Sequence, residues 1–317
     1  MKVLMIGRSK SIAFEDLKKY WGEVDFTRPP KIPASTYDLV IAQEPTIRIG
    51  PIACLAATLY GAKFVVEVHG GYLRYFTGIQ KTISSLILRR ADLVRAVNNE
   101  IAHQLREMGL KNVLVVPSIY VKTSVFKPVK KHRDRGKVVI YAGRFAPEKN
   151  LPLLIKAFKL VLAKEPSAKL MLIGKGPEKP SLLKIIREQG IEERVTLVDK
   201  WLSPEELARY YNEAAVFALT SLYEGGPRAI CEAGACETPF VSTPVGILPE
   251  VVKDGVGGFF VKRREPHELA EKIVTLLQDQ ELRQEMGENL REIVIQNFEW
   301  DKAVRRYAES YLGLLRS

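Results

Sequence analysis

Two glutamates stand eight positions apart in Leu219-Thr-Ser-Leu-Tyr-Glu-Gly-Gly-Pro-Arg-Ala-Ile-Cys-Glu-Ala-Gly-Ala235, at Glu224 and Glu232. Carboxylates accept hydrogen bonds well from sugar hydroxyls. The residues before Glu224 read as a short buried strand, and Gly225-Gly226 free the backbone for a tight turn. Pro227 suits the first turn of a helix, followed by Arg228. Such a turn leaves backbone N–H groups unpaired at the positive end of the helix dipole, which is a ready anion site. Glu232 lies five residues into this helix, roughly 7–8 Å from the turn along the axis. One carboxylate before an anion site and one beyond it can hold a hexose, a diphosphate and a ribose in line, which is a nucleotide sugar. Exposed helix charges give the same bare spacing. The strand-Glu-Gly-Gly-Pro-helix-Glu context is what favours the ligand.

Cations that could meet a diphosphate stand in Tyr141-Ala-Gly-Arg-Phe-Ala-Pro-Glu-Lys-Asn-Leu-Pro152. A strand should end at Gly143, a short loop carry Arg144 and Lys149, and Asn150 cap a helix with Pro152 in its first turn. In isolation two such cations are ordinary surface charges. Leu172-Ile-Gly-Lys-Gly-Pro177 supplies a second glycine turn after a strand, at Gly174, a weak signal by itself. His69, followed by Gly70-Gly71, ends the strand Phe64–Val68 on the carboxyl edge of a sheet, where α/β ligands bind. A structural histidine is the alternative.

The Glu224–Glu232 segment resembles the E-x7-E signature of the retaining family-four glycosyltransferases. Their GT-B fold consists of two Rossmann-like, doubly wound domains facing across a cleft. The resemblance continues through Gly-Arg-x4-Lys at Gly143–Lys149, Thr243-Pro-Val-Gly-Ile-Leu-Pro-Glu250 and Asp254-Gly-Val-Gly-Gly-Phe-Phe-Val261. It implies that Glu224 contacts the transferred sugar and Glu232 the ribose. By the same resemblance Arg144 and Lys149 meet the diphosphate, with Gly143, Gly174, Gly225, Gly226, Pro227 and Arg228 completing the donor site. It implies further that His69 hydrogen-bonds the sugar, and that the leaving phosphate takes the acceptor proton in a front-face mechanism. Breaking a glycosyl–phosphate bond requires stabilising the departing diphosphate by a metal or by fixed cations and donors. The chain has no Asp-x-Asp, so no metal or other cofactor is expected beyond the nucleoside diphosphate sugar as donor substrate. The first half departs from the family. Gly7-Arg-Ser-Lys10 stands where many members have a Gly-Gly loop, so that Arg8 or Lys10 can substitute by charge, and Pro117-Ser-Ile-Tyr120 replaces Pro-Asn-Gly. Acceptor identity therefore stays open among glycan, lipid and small molecule.

Alternating apolar runs and helical segments must position these groups. Val3–Ile6, Leu39–Ile41, Phe64–Val68, Leu93–Val97 and Val113–Val116 are strand candidates in the first half. Val138–Ala142, Leu170–Ile173, Val195–Val198, Val216–Leu219 and Phe240–Ser242 are those of the second. The expected division is a domain over 1–127, a charged linker over 128–137 and a donor domain over 138–299, with a closing helix over 300–317 returning to the first. The stripe Trp300, Val304, Tyr307 and Tyr311 fits that helix, and fits a simple core stripe equally well.

The 317 residues, 46% of them hydrophobic, suffice for two globular domains. The apolar run Ile49–Ala62 falls short of a bilayer span and reads as a buried helix. The N-terminus reads as a first strand rather than a signal peptide, and three cysteines without metal spacing fit a cytoplasmic protein. The net charge of +11 is uneven: 18 basic against 10 acidic residues up to Pro128, five against one from Val129 to Lys137, and 25 against 26 beyond. A basic first half suggests an anionic partner, or simply a solvated face. Aromatic, aliphatic and basic residues in Tyr72–Arg90, among them Tyr72, Leu73, Arg74, Tyr75, Phe76 and Ile79, suit peripheral contact with an anionic membrane. Two rivals to a transferase are an epimerase or phosphorolytic enzyme on the same fold, and a nucleic-acid-binding protein. For the latter no recognition helix or aromatic RNA motif is present, and nucleic acid is not expected as a partner.

Overall fold

The computed structural model describes residues 1–70 and 76–315. The chain divides into two compact units, Met1–Tyr120 with Asp301–Ser317, and Val121–Trp300. In the first unit the strands β1 (Lys2–Ile6), β2 (Glu23–Thr27), β3 (Leu39–Ala42), β4 (Lys63–Val68), β5 (Leu93–Ala96) and β6 (Val113–Val115) form one parallel sheet, ordered β2-β1-β3-β4-β5-β6. Helices α1 (Phe14–Trp21), α2 (Gly50–Tyr60), α3 (Gly78–Arg90) and α4 (Asn99–Glu107) connect them. β3, Leu-Val-Ile-Ala, is buried at every position, as a strand covered on both faces must be. β2 was not among the expected strands because its sequence, Glu-Val-Asp-Phe-Thr, is half polar. At the sheet edge it exposes Glu23 and Asp25 and buries Val24. α4 starts where Asn98 accepts a hydrogen bond from the Ile101 N–H at 2.8 Å, an N-cap readable from sequence. α2, expected as a buried helix, is buried on one face only. Ala53, Ala56 and Ala57 face the core, whereas Leu55 and Leu59 are exposed, because one face of a surface helix has no partner element.

The second unit repeats the plan with β7 (Val138–Ala142), α5 (Leu151–Lys164), β8 (Lys169–Ile173), α6 (Lys179–Glu188), β9 (Val195–Val198), α7 (Pro204–Glu213), β10 (Val216–Leu219), α8 (Arg228–Ala235), β11 (Phe240–Ser242), α9 (Leu248–Val251), β12 (Gly258–Phe260), α10 (Pro266–Gln278) and α11 (Gln280–Phe298). Its parallel sheet runs β12-β11-β10-β7-β8-β9. α5 shows why these segments fold locally. Leu151, Leu154, Ile155, Phe158 and Val161 recur at helical spacing and are all buried. α7 opens on a capping box between Ser203 and Glu206.

The units divide at Tyr120, and the charged segment 128–137, expected as an interdomain linker, lies inside the second unit. Its charge is misleading, because Arg135 is buried, donating from Nη2 to the Cys236 carbonyl at 2.8 Å and from Nη1 to Thr238 Oγ1 at 2.9 Å. The last helix, α12 (Trp300–Leu312), contributes Tyr307 and Tyr311 to the interior of the first unit.

Each sheet has a point where the strand order reverses, between β1 and β3 in the first and between β7 and β10 in the second. Loops leaving the carboxyl ends of two such strands diverge to opposite faces and leave a crevice, the usual ligand position in doubly wound sheets.

Candidate active site

The second crevice is built by the loop after β7, which carries Arg144 and Lys149, and the loop after β10, which carries Glu224. Backbone and side chains lock them together. Leu222 N–H donates to the Glu148 carbonyl at 2.8 Å, and Thr220 Oγ1 donates to the carbonyls of Lys149 and Asn150 at 2.9 and 3.0 Å. Across this seam Lys149 Nζ donates to Glu224 Oε1 at 2.5 Å, and Ser221 Oγ donates to the same oxygen at 2.7 Å. Both members of the ion pair are mostly buried, with side chains 17% and 14% exposed. Glu224 Oε2 has no such partner among the hydrogen bonds of the described residues. Arg144 extends further out, 63% exposed, and pairs with Glu148.

Glycines allow the backbones to approach. A Cβ on Gly174 (φ +142°) would lie 1.9 Å from the Gly143 carbonyl oxygen, so the loops after β7 and β8 abut only because this residue has none. Similarly Gly246, at φ +64°, would press a Cβ within 2.8 Å of the Gly225 carbonyl oxygen. Asn150 stands at the expected N-cap of α5, but in the left-handed backbone at φ +47° and with no capping bond from its side chain. Asparagine tolerates that backbone better than most residues, and the turn uses it for this. Pro227 stands one position earlier than expected, immediately before α8, whose first turn has no side-chain cap and no acidic residue.

Glu232, in α8, is buried, and Arg228 Nε lies 3.1 Å from its Oε1. Burial pushes its carboxyl up to about 7, against the opposing pull of Arg228 and the Tyr211 hydroxyl. Gly225, Gly226 and Pro227 form the turn between the two glutamates. The second unit thus gathers Arg144, Lys149, Glu224, Arg228 and Glu232 along one seam and helix.

His69 belongs to the first unit, beside that sheet's own crevice. A pocket of about 320 Å³ is lined there by Arg8, Lys10, Gln43, Glu44, His69 and Ser118 among others, drawn from the loops after β1, β3, β4 and β6. Arg8 pairs with Glu44 at 3.2 Å. Beneath His69 lies a group that the sequence reading missed. Glu67 and Arg95 are register partners on β4 and β5, both fully buried, with Arg95 Nη1 donating to Glu67 Oε1 at 2.8 Å. Tyr307 and Tyr311 of α12 each donate to that same oxygen at 2.7 Å. Burial alone would raise the Glu67 carboxyl, but Arg95 and the bonds from His69 and Tyr307 hold it well below the usual carboxylate range. One signal was available: a charged residue in the middle of each of two otherwise apolar strands, Phe-Val-Val-Glu-Val and Leu-Val-Arg-Ala. Tyr72, Leu73, Arg74 and Tyr75 of the segment expected at a membrane lie outside the described residues.

The glycosyl transferases group 1 family model matches residues 123–293, and the glycosyl transferase 4-like domain matches residues 17–118. The chain belongs to the group 1 glycosyl transferases. Among the relatives of this glycosyltransferase is N-acetyl-alpha-D-glucosaminyl L-malate synthase of Bacillus anthracis, 28% identical over 278 residues, covering 83% of the chain and 72% of the relative. Another is D-inositol 3-phosphate glycosyltransferase of Corynebacterium glutamicum, 33% identical over 181 residues, which are 55% of the chain and 43% of that protein. The Anabaena HepE structure, in complex with UDP and glucose, superposes with a TM-score of 0.85 at 19% identity, over 99% of this chain and 100% of that one. The fold of this glycosyltransferase is therefore GT-B, with two Rossmann-like units. No described helix is long and apolar enough to cross a membrane.

Proposed function

We propose that this glycosyltransferase moves a hexose from a nucleoside diphosphate sugar, with UDP as the first nucleotide to test, to an acceptor hydroxyl with retention of configuration and without a metal ion. The observation that carries the reading is the Lys149–Glu224 contact at 2.5 Å across the seam where a donor would lie. Glu224 holds the sugar, Lys149 and Arg144 the diphosphate, and Glu232 with Arg228 the ribose. The C1–O bond to phosphate breaks with its electron pair going to the phosphate. The acceptor oxygen bonds to C1 on the same face, and its proton passes to the phosphate oxygen. Two supports come from relatives, one named for an L-malate product and one for D-inositol 3-phosphate, and the neighbour HepE was solved with UDP and glucose. The first-unit pocket, rimmed by Arg8 and Lys10, is our choice for the acceptor, which fits a small hydroxylated anion as well as the end of a glycan or lipid.

The test is nucleotide release from UDP-, GDP- and ADP-sugars with and without chelator, followed by NMR of the product anomer. Acceptor-dependent UDP release that survives chelation and yields the α-anomer from an α-donor is the expected result. Release with no transfer product in any acceptor pool, or a β-anomer, overturns the reading.

We also propose a cytoplasmic location with peripheral contact to an anionic membrane surface through α2 and α3. Ile47, Leu55, Leu59, Ile79 and Leu86 are 44 to 72% exposed. Between Glu44 and Asp92 the sole acidic residue is the buried Glu67, while Arg48, Lys81, Arg89 and Arg90 are exposed. Apolar side chains flanked by cations alone complement an anionic lipid surface. Flotation with vesicles should recover more protein when phosphatidylserine or phosphatidylglycerol is present than with phosphatidylcholine alone, and Leu55→Ser with Leu59→Ser should abolish the difference. Equal recovery from both vesicle types removes the proposal.

A further inference from the structure

Both ring nitrogens of His69 are engaged within the first unit. Nε2 lies 3.1 Å from Glu67 Oε2, and Nδ1 lies 3.2 Å from Ser118 Oγ. Ser118 Oγ in turn accepts from Arg95 Nη2 at 2.7 Å, and Arg95 closes the circuit on Glu67 through Nη1. We propose that Glu67 is a positioning residue that sets the tautomer of His69, with the proton on Nε2 and the lone pair on Nδ1. In this arrangement Nδ1 accepts a hydrogen bond from a ligand hydroxyl that takes the place of Ser118.

With a single proton on the ring, the direction of each bond follows from donor counting. A carboxylate has no proton to give, so the one between Nε2 and Oε2 must come from His69. Ser118 has one hydroxyl proton, and since its oxygen already accepts from Arg95, that proton is available to Nδ1. Two further Arg95 donors are occupied by carbonyls, Nε by Val116 at 2.9 Å and Nη2 also by Pro117 at 2.9 Å. Glu67 cannot rotate away, because Oε1 accepts three bonds, from Arg95, Tyr307 and Tyr311. Arg95 is itself covered by the Tyr307 ring, 4.2 Å from guanidinium carbon to centroid. The final helix therefore holds the carboxylate that orients the histidine. His69 lines the same pocket as Gln43, Glu44 and Ser118, and its side chain is 37% exposed, so the Nδ1 edge is the one a hydroxyl-bearing ligand could reach. A fixed acceptor edge suits a sugar or polyol hydroxyl.

The proposal rests on the transferase reading only for the ligand, and its structural half can be tested without turnover. The chain has four histidines, so long-range proton–nitrogen NMR of the ¹⁵N-histidine protein, with His103→Gln, His132→Gln and His267→Gln for assignment, reports the His69 tautomer. The wild type and Ser118→Ala should both show the Nε2–H form. In Glu67→Gln the new amide must turn its oxygen to the three donors and its NH₂ to His69, so the tautomer should invert to Nδ1–H. Should that variant fail to fold, Tyr307→Phe with Tyr311→Phe frees the carboxylate and should give a mixture of the two forms. UDP-sugar turnover in Glu67→Gln should lose about tenfold in kcat, the worth of one hydrogen bond, with the donor KM unchanged. An Nδ1–H wild type, or a tautomer indifferent to both Glu67→Gln and the double tyrosine variant, overturns the proposal. A tautomer that inverts while no form transfers sugar leaves the positioning role standing and removes the transferase reading.

Discussion

Lys149 and Glu224, 75 positions apart, form a largely buried ion pair with Nζ and Oε1 2.5 Å apart, and it spans the point where the second sheet reverses its strand order. The pair ties the cation proposed for the diphosphate to the carboxylate proposed for the sugar. A donor entering the seam would meet them as one unit, with the carboxylate already held by Ser221 as well.

Coupling between the two is the first expectation. Lys149→Ala and Glu224→Gln should each lower kcat for UDP-sugar turnover by about 10²–10³-fold, as for loss of a preorganised charge at the transition state. The double variant should lose much less than the product of the two, because each single change leaves a mostly buried partner without its counter-charge. Additive losses in a double-mutant cycle would mean that the two act independently.

Arg144 and Glu232 should separate kinetically. Arg144, mostly exposed and held by Glu148, is the cation proposed to meet charge that develops on the leaving diphosphate. Arg144→Ala should chiefly lower kcat, while Glu232→Ala should chiefly raise the donor KM. Steady-state kinetics on one UDP-sugar distinguishes the two, and a reversed pattern contradicts the assigned roles.

Glu232 also carries a stability signature. Its folded carboxyl is raised from 4.5 to about 7, so between these values the folded state binds more protons than the unfolded one. The contribution of Glu232 is therefore present below the unfolded value and is lost as pH rises toward 7. Glu232→Gln should be more stable than wild type at pH 8, by about 2–3 kcal/mol at most, with the advantage fading toward pH 4. Urea unfolding at the two pH values measures it.

His132 has the opposite sign. Burial, with Arg135 and Arg283 nearby, pushes its imidazole down to about 3, so the unfolded state binds the extra proton between 6.5 and 3. Its contribution favours the fold above the unfolded value and is lost as pH falls through this window. His132→Leu should therefore blunt the loss of melting temperature on acidification from pH 7 to pH 4, and an unchanged slope would refute the cause.

Gly174→Ala should be costly. Its φ of +142° and the Gly143 carbonyl 1.9 Å from an added Cβ leave the loop no place for a methyl group unless the backbone moves. A loss of about 2–4 kcal/mol is expected in denaturant unfolding, together with weaker donor binding, since the same backbone approach shapes the seam.

Much of the second unit was legible along the chain. Each of its five expected strands is present, because a strand buried on both faces reads as a short apolar run. β2 escaped because its own sequence is half polar, β12 because Gly-Phe-Phe is only three residues long, and in segment 128–137 the sequence does not show which charges find buried partners. In the first unit, Glu67 and Arg95 stood in plain view as charges inside apolar strands, yet nothing local says that they face each other.

The sequence by itself determined the parts: which segments become strands and helices, where glycines must turn, and that Glu224, Glu232, Arg144 and Lys149 follow a glycosyltransferase pattern. The elements and turns follow from periodicity and from backbone preferences that act over a few residues, and the pattern from a resemblance to the family's motifs. Only the tertiary structure decided the partners. Lys149 meets Glu224 because β7 and β10 lie side by side, Glu67 meets Arg95 through the register of β4 and β5, and Tyr307 and Tyr311 reach Glu67 from the other end of the chain. Parallel strands are joined by crossovers and so bring together residues far apart in sequence, and the charge state of a buried group depends on which of them arrives.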